Sequence, residues 1–460
     1  MSLIKSISGI RGTIGGKPGD NLTPIDAVAF AAAYGSLLLE QNPNQRNTVV
    51  IGRDARPSGE MIQQLVQNTL MGLGIDIIDL GLSTTPTVAM AVPDLGAQGS
   101  IILTASHNPI EWNALKLLNE KGEFINAQQG QAVLKKATNN DFSFVGVNDL
   151  GRLTTHAHAL ENHIQAILAL DYTQKEAIKK QGFKVVVDGV NSSGGVAIPQ
   201  LLEQLGVETI KIHCTPNGIF PHNPEPLAVH LTDLSQAVIA HQADFGIAVD
   251  PDVDRLVFVD EKGVVFGEEY TLVACADYVL SKKLGPTVSN LSSSQALQVI
   301  TAQYNQSYSA AAVGEVNVVE EMKKRQAIIG GEGNGGVILP ELHYGRDALV
   351  GVALFLSLLT ERQIAVSQLR ATYPQFFMVK EKVTLTPTTD VDGILQAIAK
   401  VYPVEDVNTV DGVKIHFINQ WVHLRKSNTE PIIRIYTEAP TEAEATDLAQ
   451  DFKQQIIHLQ

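Results

Sequence analysis

A chain of 460 residues with 44% hydrophobic content is too long for one ordinary domain and apolar enough to build several cores. Its formal charge of −15, from 34 Lys+Arg against 49 Asp+Glu, is spread without long like-charge runs. This excludes the basic face that a nucleic-acid partner requires and leaves small anionic substrates open. Two cysteines, Cys214 and Cys275, lack a C-x-x-C spacing, which argues against a zinc ribbon or a redox pair.

The first segment, MSLIKSISGIRG, carries Lys5 and Arg11 with no apolar stretch between them and does not read as a secretory signal. NTVVIGRD, IDIIDLG and GSIILTAS then read as strands. SGEMIQQLVQNTLMGLG between the first two reads as a helix, with Ser58 as its N-cap and Gly74 as its stop. A second set opens at FKVVVDG and closes at DFGIAVD. A third opens at RLVFVDEKG and closes at QAIIGGEGNGG. Alternating strands and helices predict three similar α/β domains with mixed, largely parallel sheets. The run Ala348–Leu359 is too short to span a bilayer and reads as a buried helix. A cytoplasmic protein with no membrane partner is expected. The last stretch, with FFMVKEKVTL, VKIHFI, WVHLR and PIIRIYTEA in quick succession, predicts an α+β domain with an antiparallel sheet. The expected limits are 1–153, 154–256, 257–371 and 372–460.

Each α/β set ends on a strand that runs into a polar loop, where open parallel sheets bind ligands. TASHNP offers Ser106 and His107, with Lys116 ten residues beyond the serine. Ser106 lacks the G-x-S-x-G elbow of a hydrolase, and adjacent side chains usually diverge, which disfavours a Ser-His relay. Local sequence leaves two readings, a turn or cap residue and a phosphoryl acceptor. DPDVDR alternates Asp250, Asp252 and Asp254, carboxylates that repel unless a hard cation such as Mg2+ or Ca2+ sits among them. Its sixth position is Arg255, where a calcium-binding EF loop needs glycine.

GGEGNGG contains G-x-G-x-x-G but is followed by VILPE, which opens no helix. It reads either as a plain glycine turn or as a flexible loop bringing Glu332 and Asn334 to a polyol. RKSNTEP offers Arg425, Ser427, Asn428 and Thr429, a phosphate cradle or a hairpin turn. Arg11 in SGIRGT, and Arg53, Asp54 and Arg56 in GRDARPSG, either contact ligand or form an ion-pair network beside it.

TASHNP with Lys116, DPDVDR, GEGNGG and RKSNTEP, in this order, resemble the signature loops of the α-D-phosphohexomutase superfamily. The resemblance covers essentially the whole chain. It implies four domains around a central cleft and a reversible shift of phosphate between O1 and O6 of a hexose. It implies a phosphorylated Ser106, with Mg2+ on Asp250, Asp252, Asp254 and a phosphoserine oxygen. A hexose 1,6-bisphosphate is the implied intermediate and activator. Glu332 and Asn334 would bind sugar hydroxyls, and Arg425, Ser427, Asn428 and Thr429 the phosphate that stays. Arg11, His107, Lys116 and Arg255 would line the reaction centre, with Lys116 and Arg11 as acid/base candidates.

The sugar loop departs from the common bacterial Glu-x-Ser-Gly, reading Glu332-Gly333-Asn334-Gly335, and Glu315 stands in VGEVNV. A carboxylate near the sugar points to glucosamine phosphate as substrate, with mannose and glucose phosphates as the alternative. A metal-dependent phosphatase acting through phosphoserine is a more distant reading. A monomer or homodimer is expected.

Overall fold

The computed structural model describes residues 2–6, 9–386, 389–427 and 432–459. They form four sheets. The first contains β1 (Ile4–Ser6), β2 (Gly9–Thr13), β3 (Thr48–Arg53), β4 (Asp76–Leu82), β5 (Gly99–Leu103), β6 (Trp112–Leu118) and β7 (Leu153–Thr155), in the order β1-β2-β6-β5-β3-β4-β7. The second contains β8 (Lys184–Asp188), β9 (Glu208–Ile212), β10 (Phe245–Val249) and β11 (Leu256–Asp260), in the order β11-β10-β8-β9. The third contains β12 (Thr287–Asn290), β13 (Tyr308–Ala311), β14 (Ile329–Glu332) and β15 (Gly336–Ile338), in the order β13-β12-β14-β15. The fourth, with β16 (Phe377–Thr384), β17 (Val407–Asn408), β18 (Val413–Phe417), β19 (Gln420–Lys426) and β20 (Ile432–Ala439), is antiparallel throughout.

The expected mixed α/β architecture with a C-terminal antiparallel sheet is therefore present. Two strand assignments change. Leu256–Asp260, expected to open the third set, pairs antiparallel with β10 as the edge of the second sheet. The short loop between them allows no other pairing, because a parallel return needs a long crossover. Trp112–Leu118, which the apolar pattern hid behind Asn113 and Lys116, is β6 and pairs antiparallel with β5. A common plan results. Each parallel strand that carries a site loop (β5, β10, β14) turns back into an antiparallel partner (β6, β11, β15). The fourth loop lies in the same setting, between β19 and β20.

Helix starts follow sequence chemistry in part. Gly74 has φ +82 and ends its helix as expected. Ser58 does not cap: its side chain makes no capping bond, and its Oγ accepts from Asn113 Nδ2 at 2.9 Å instead. The helix Ala348–Arg362 is buried around nearly its whole circumference, as its unbroken apolar run implies. Its Phe355 stacks on Phe258 of β11 at 3.7 Å between centroids, and meets Phe245 of β10 and Phe266 edge-on. One continuous core thus joins the second and third sheets, while the first and fourth keep cores of their own. Among the described residues no single helix is long and apolar enough to cross a membrane.

Replacing Phe355 with alanine is expected to cost about 3–5 kcal/mol. Calorimetry should show both central units melting earlier together. A shift in one with the other unmoved would show that they do not share a core.

Candidate active site

The serine loop between β5 and β6 hangs on one side chain. Arg56 is fully buried, and all five of its guanidinium N–H groups are spent. Nε donates to Asp54 Oδ2 at 3.0 Å. Nη1 donates to the carbonyls of Pro109 and Trp112, and Nη2 to those of Ser106 and Asn108. Asp54 is buried as well, and burial raises its pKa. It accepts from Thr104 Oγ1 at 2.6 Å, and Thr104 Oγ1 in turn accepts from the Ser106 N–H at 2.9 Å. Of the two readings of the GRDARPSG segment, Arg56 takes the ion-pair role.

Held this way, Ser106 adopts φ +50, a left-handed backbone uncommon outside glycine. The strain aims its Oγ across the domain boundary, where it donates to Asp250 Oδ2 at 2.6 Å. Ser106 is both a turn residue and a side chain aimed at the aspartate loop.

That loop is strained too. Val253, β-branched and buried, has φ +64. The turn brings Asp250, Asp252 and Asp254 together, all buried, with one carboxylate oxygen of each within 4.8 Å of the others. Asp250 Oδ1 accepts the N–H groups of Asp254 and Arg255, both at 3.1 Å. Burial and the two neighbouring aspartates push its carboxyl well above the usual range. Asp252 Oδ2 accepts from Lys116 Nζ at 2.6 Å and Thr85 Oγ1 at 2.5 Å. Burial works against the Asp252 charge, but Lys116 outweighs it and holds the carboxyl below the usual range. Lys116 also reaches Asp254 at 3.2 Å, and the pair of carboxylates keeps it protonated against its own burial.

Two acceptors remain over. Asp252 Oδ1 and Asp254 Oδ1 are buried without a hydrogen-bond partner. Two orphaned carboxylate oxygens beside Asp250 and Ser106 Oγ form an all-oxygen donor set suited to a hard divalent ion.

Donors without acceptors are buried as well. Arg11, Arg255 and Arg425 each bury an Nε with no acceptor. Arg11, on β2, shares a sheet face with Lys116, since its partner Ala114 lies two residues from Lys116. Its pKa is lowered by burial and by Arg434 and Arg255. Arg255 pairs with Glu225 at 2.9 Å. Arg425 pairs with Asp411 at 2.9 Å and lies directly opposite Arg434 across β19 and β20. Like charges opposed in a sheet destabilise unless an anion shares them. Ser427 is buried beside them, and its N–H donates to the Ile432 carbonyl at 3.1 Å. Asn428 and Thr429 lie outside the described residues.

His107 does not diverge from the serine as expected: its Nδ1 lies 3.3 Å from Ser106 Oγ. A hydrolase relay is nonetheless barred. Arg255 Nη2 faces His107 Nε2 at 3.4 Å, and guanidinium can only donate. The ring proton therefore sits on Nδ1, which cannot take the serine proton. Burial and Arg255 hold the ring neutral by lowering its pKa well below the usual value.

The glycine loop is tight rather than flexible. Gly335 has φ +87, and a Cβ there would sit 2.4 Å from the Leu256 carbonyl oxygen. Glu332 is buried and fully bonded. Its Oε1 accepts from Asn290 Nδ2 at 2.9 Å and the Gly314 N–H at 3.2 Å, and its Oε2 pairs with Arg346 at 3.2 Å. Asn334 Oδ1 accepts from the Gly336 N–H at 3.2 Å. Arg346, which the sequence reading missed, also binds Asp254 Oδ2 at 2.8 Å and Glu315 Oε2 at 2.7 Å. One guanidinium thus ties the aspartate loop to the sugar loop. Its only local signal is a charged residue just before Asp347, the N-cap of the apolar helix.

Four domain families match the chain in succession. The phosphoglucomutase/phosphomannomutase alpha/beta/alpha domains I, II and III match residues 3–144, 161–263 and 267–376, and the C-terminal domain matches 379–455. A phosphoglucomutase/phosphomannomutase of Thermococcus kodakarensis is 35% identical over 95% of this chain and 96% of its own. A phosphoglucosamine/phosphogalactosamine mutase of Sulfurisphaera tokodaii is 30% identical over 98% and 99%. A crystal structure of a phosphoglucomutase/phosphomannomutase family protein from Burkholderia thailandensis superposes with a TM-score of 0.84 at 25% identity, covering 98% of each chain.

Two outcomes test this geometry. Arg56→Ala, which leaves Asp54 buried without its partner and four carbonyls without donors, is expected to cost about 3–5 kcal/mol, the usual loss when one partner of a buried ion pair is removed. A denaturation midpoint that does not move would contradict the anchoring role. Mg2+ at a hundred times its dissociation constant should stabilise the wild type by about 2.7 kcal/mol. The same addition should leave the melting temperature of Asp250→Ala unchanged.

Proposed function

The chain belongs to the phosphoglucomutase/phosphomannomutase family and is an isomerase that moves phosphate within a hexose phosphate, and we propose that Ser106 carries the phosphoryl group. The observation that supports this is a pairing of opposites. Asp252 and Asp254 bury acceptors without donors, Arg255 of the same loop buries an Nε donor without an acceptor, and Arg11 and Arg425 bury further unmatched Nε donors. A divalent cation and a phosphate ester answer both sets at once.

In this reading Asp250, Asp252, Asp254 and phosphorylated Ser106 would hold one Mg2+, which would supply charge neutralisation for the transferring group. The sugar hydroxyl attacks phosphorus, the P–Oγ bond to Ser106 breaks, and a hexose 1,6-bisphosphate forms. Ser106 Oγ takes up a proton from Lys116 as its bond to phosphorus breaks. The proton of the attacking hydroxyl passes to Lys116 in turn, so that none is gained or lost; Arg11 is the second acid/base candidate. The bisphosphate turns over, and its other phosphoryl returns to Ser106. Catalysis of this kind is mostly positioning and charge stabilisation. Arg425 and Ser427, with Asn428 and Thr429 beside them in sequence, hold the phosphate that does not move. Arg434 joins them as the cross-strand neighbour of Arg425. Asn334 would meet the sugar directly, and Glu332 would do so by exchanging one of its present partners for a sugar hydroxyl.

Glucosamine phosphate is the substrate this arrangement favours. Glu315 and Glu332 share one guanidinium, on which Asp254 also draws beside Lys116, so the glycine loop holds one carboxylate more than its cation for an ammonium on C2. One observation favours a second reading, a neutral hexose. Arg346 already occupies an oxygen of both Glu315 and Glu332.

Incubation with a hexose 1,6-bisphosphate should add one phosphate to the wild-type mass and none to Ser106→Ala, which should lose mutase activity. Full activity in Ser106→Ala would end the phosphoserine reading, and phosphate release matching substrate loss would favour a phosphatase. Glu315→Gln should lower kcat/KM for glucosamine phosphate about tenfold, or 1.4 kcal/mol, and spare glucose phosphate. An equal fall for both sugars would favour the neutral-hexose reading.

A further inference from the structure

Away from the cleft, three donor atoms converge at the carboxyl ends of β8 and β9. Asp188 ends β8, His213 follows β9, and His222 lies in the loop beyond. One ligand atom of each lies within 4.8 Å of the others. His213 Nδ1 and His222 Nε2 both point at the same oxygen, Asp188 Oδ2, each at 3.0 Å. The other Asp188 oxygen accepts from the Val190 N–H at 2.9 Å, which fixes the carboxylate.

Hydrogen bonding on the far side of each ring decides what the near side presents. His222 Nδ1 lies 2.8 Å from the Asn223 carbonyl, which can only accept, so that nitrogen carries the proton. Neutral His222 would then turn its Nε2 lone pair onto a carboxylate oxygen. Contact at 3.0 Å requires a cation between them, either a proton or a metal ion. His213 Nδ1 faces Asp188, and its Nε2 faces the Asp233 carboxylate at 3.5 Å, an ion-pair distance longer than the His222 hydrogen bond. Protons alone would need an imidazolium at His222 and a neutral His213 donating from Nδ1, the rings 5.5 Å apart between centroids. A divalent ion answers all three donors together and leaves both rings neutral. Each far nitrogen facing a carbonyl or carboxylate is the outer arrangement of metal-bound histidine.

We propose that Asp188, His213 and His222 form a second metal site, for a borderline transition ion of the Zn2+ class, separate from the all-oxygen aspartate site. Two imidazoles and one carboxylate suit Zn2+ better than Mg2+. The buried cluster of His163, His343 and Asp347 does not compete. There too two imidazoles face one oxygen, Asp347 Oδ2, at 2.9 and 3.3 Å. But the other Asp347 oxygen caps the helix Ala348–Arg362, and His163 Nδ1 meets Thr87 Oγ1, a hydroxyl that can donate, so a neutral His163 donates from Nε2 and ordinary hydrogen bonds satisfy the cluster.

The site has a structural task. Between His213 and Glu225 the chain packs on the serine-loop anchor. Phe220 lies under the Arg56 guanidinium at 5.0 Å, and a Cβ on Gly218 would sit 1.9 Å from the Ala55 carbonyl oxygen. Glu225 then pairs with Arg255. A metal at Asp188 staples this segment to the second sheet.

The test uses the full chain, stripped by a chelator and returned to excess Mg2+. Co2+ should then add one equivalent with the intense visible bands of nitrogen ligation, and Zn2+ should displace it. Asp250→Ala should retain this equivalent. His213→Ala and His222→Ala should lose it, and Asp233→Asn should weaken it about tenfold. Loss in Asp250→Ala, or retention in either histidine variant, overturns the proposal. Should those variants fail to fold, imidazole 15N spectra of the wild type decide. Zn2+ should move His213 Nδ1 and His222 Nε2, and unchanged signals at Zn2+ saturation overturn the proposal.

Discussion

The structure depends first on a buried arginine whose charge is never offered to a ligand. Arg56 meets one carboxylate and four backbone carbonyls of the serine loop. A loop of this length has little apolar surface of its own to bury. Its shape must come from hydrogen bonds, and a planar five-donor fork fixes several carbonyl directions at once. The left-handed backbone at Ser106 persists because these bonds over-determine it. From there the geometry passes outward. Ala55 N–H donates to Ser192 Oγ, Ser192 and Ser193 donate to the Pro251 carbonyl, and the Thr85 N–H donates to the Asp252 carbonyl. The serine and aspartate loops are fastened to each other as much as to their own sheets.

The antiparallel return after each loop-bearing strand explains why the site is built this way. A parallel strand delivers its loop to the carboxyl edge of a sheet, where ligands bind. Turning straight back keeps the loop short and pins both of its ends in one sheet. The second and third sheets, sharing the Phe355 core, hold their two loops as one block. The fourth unit rests on the third through Lys414 to the Leu291 carbonyl and the Gln295 N–H to Glu438.

Much of this was legible in the sequence, for a physical reason. Loops that handle phosphate and metal need residue types that turns do not, so Ser106, the three aspartates and Arg425 stood out. The buried helix at Ala348 was plain from its unbroken apolar run. What stayed hidden was whatever depends on register or on distant partners. Asn113 and Lys116 disguised β6 as a loop, though both belong to a strand with one functional face. Leu256–Asp260 looked like a beginning because apolar runs do not reveal which neighbour they pair with. Arg56 was open between ligand contact and an ion-pair network, and Arg346 drew no notice, since nothing local shows that a guanidinium will find four carbonyls or three carboxylates.

Arg346 carries a consequence beyond geometry. Its guanidinium is divided among Asp254, Glu315 and Glu332, so the aspartate loop and the glycine loop draw on the same charge. Residues in contact through one shared partner do not vary independently. A substitution at Glu315 or Glu332 is therefore felt at Asp254, and a change at Asp254 is felt in the glycine loop. For an evolving lineage this narrows the routes by which either loop changes. An altered carboxylate in one loop arrives with a compensating change in the other, or at Arg346 itself.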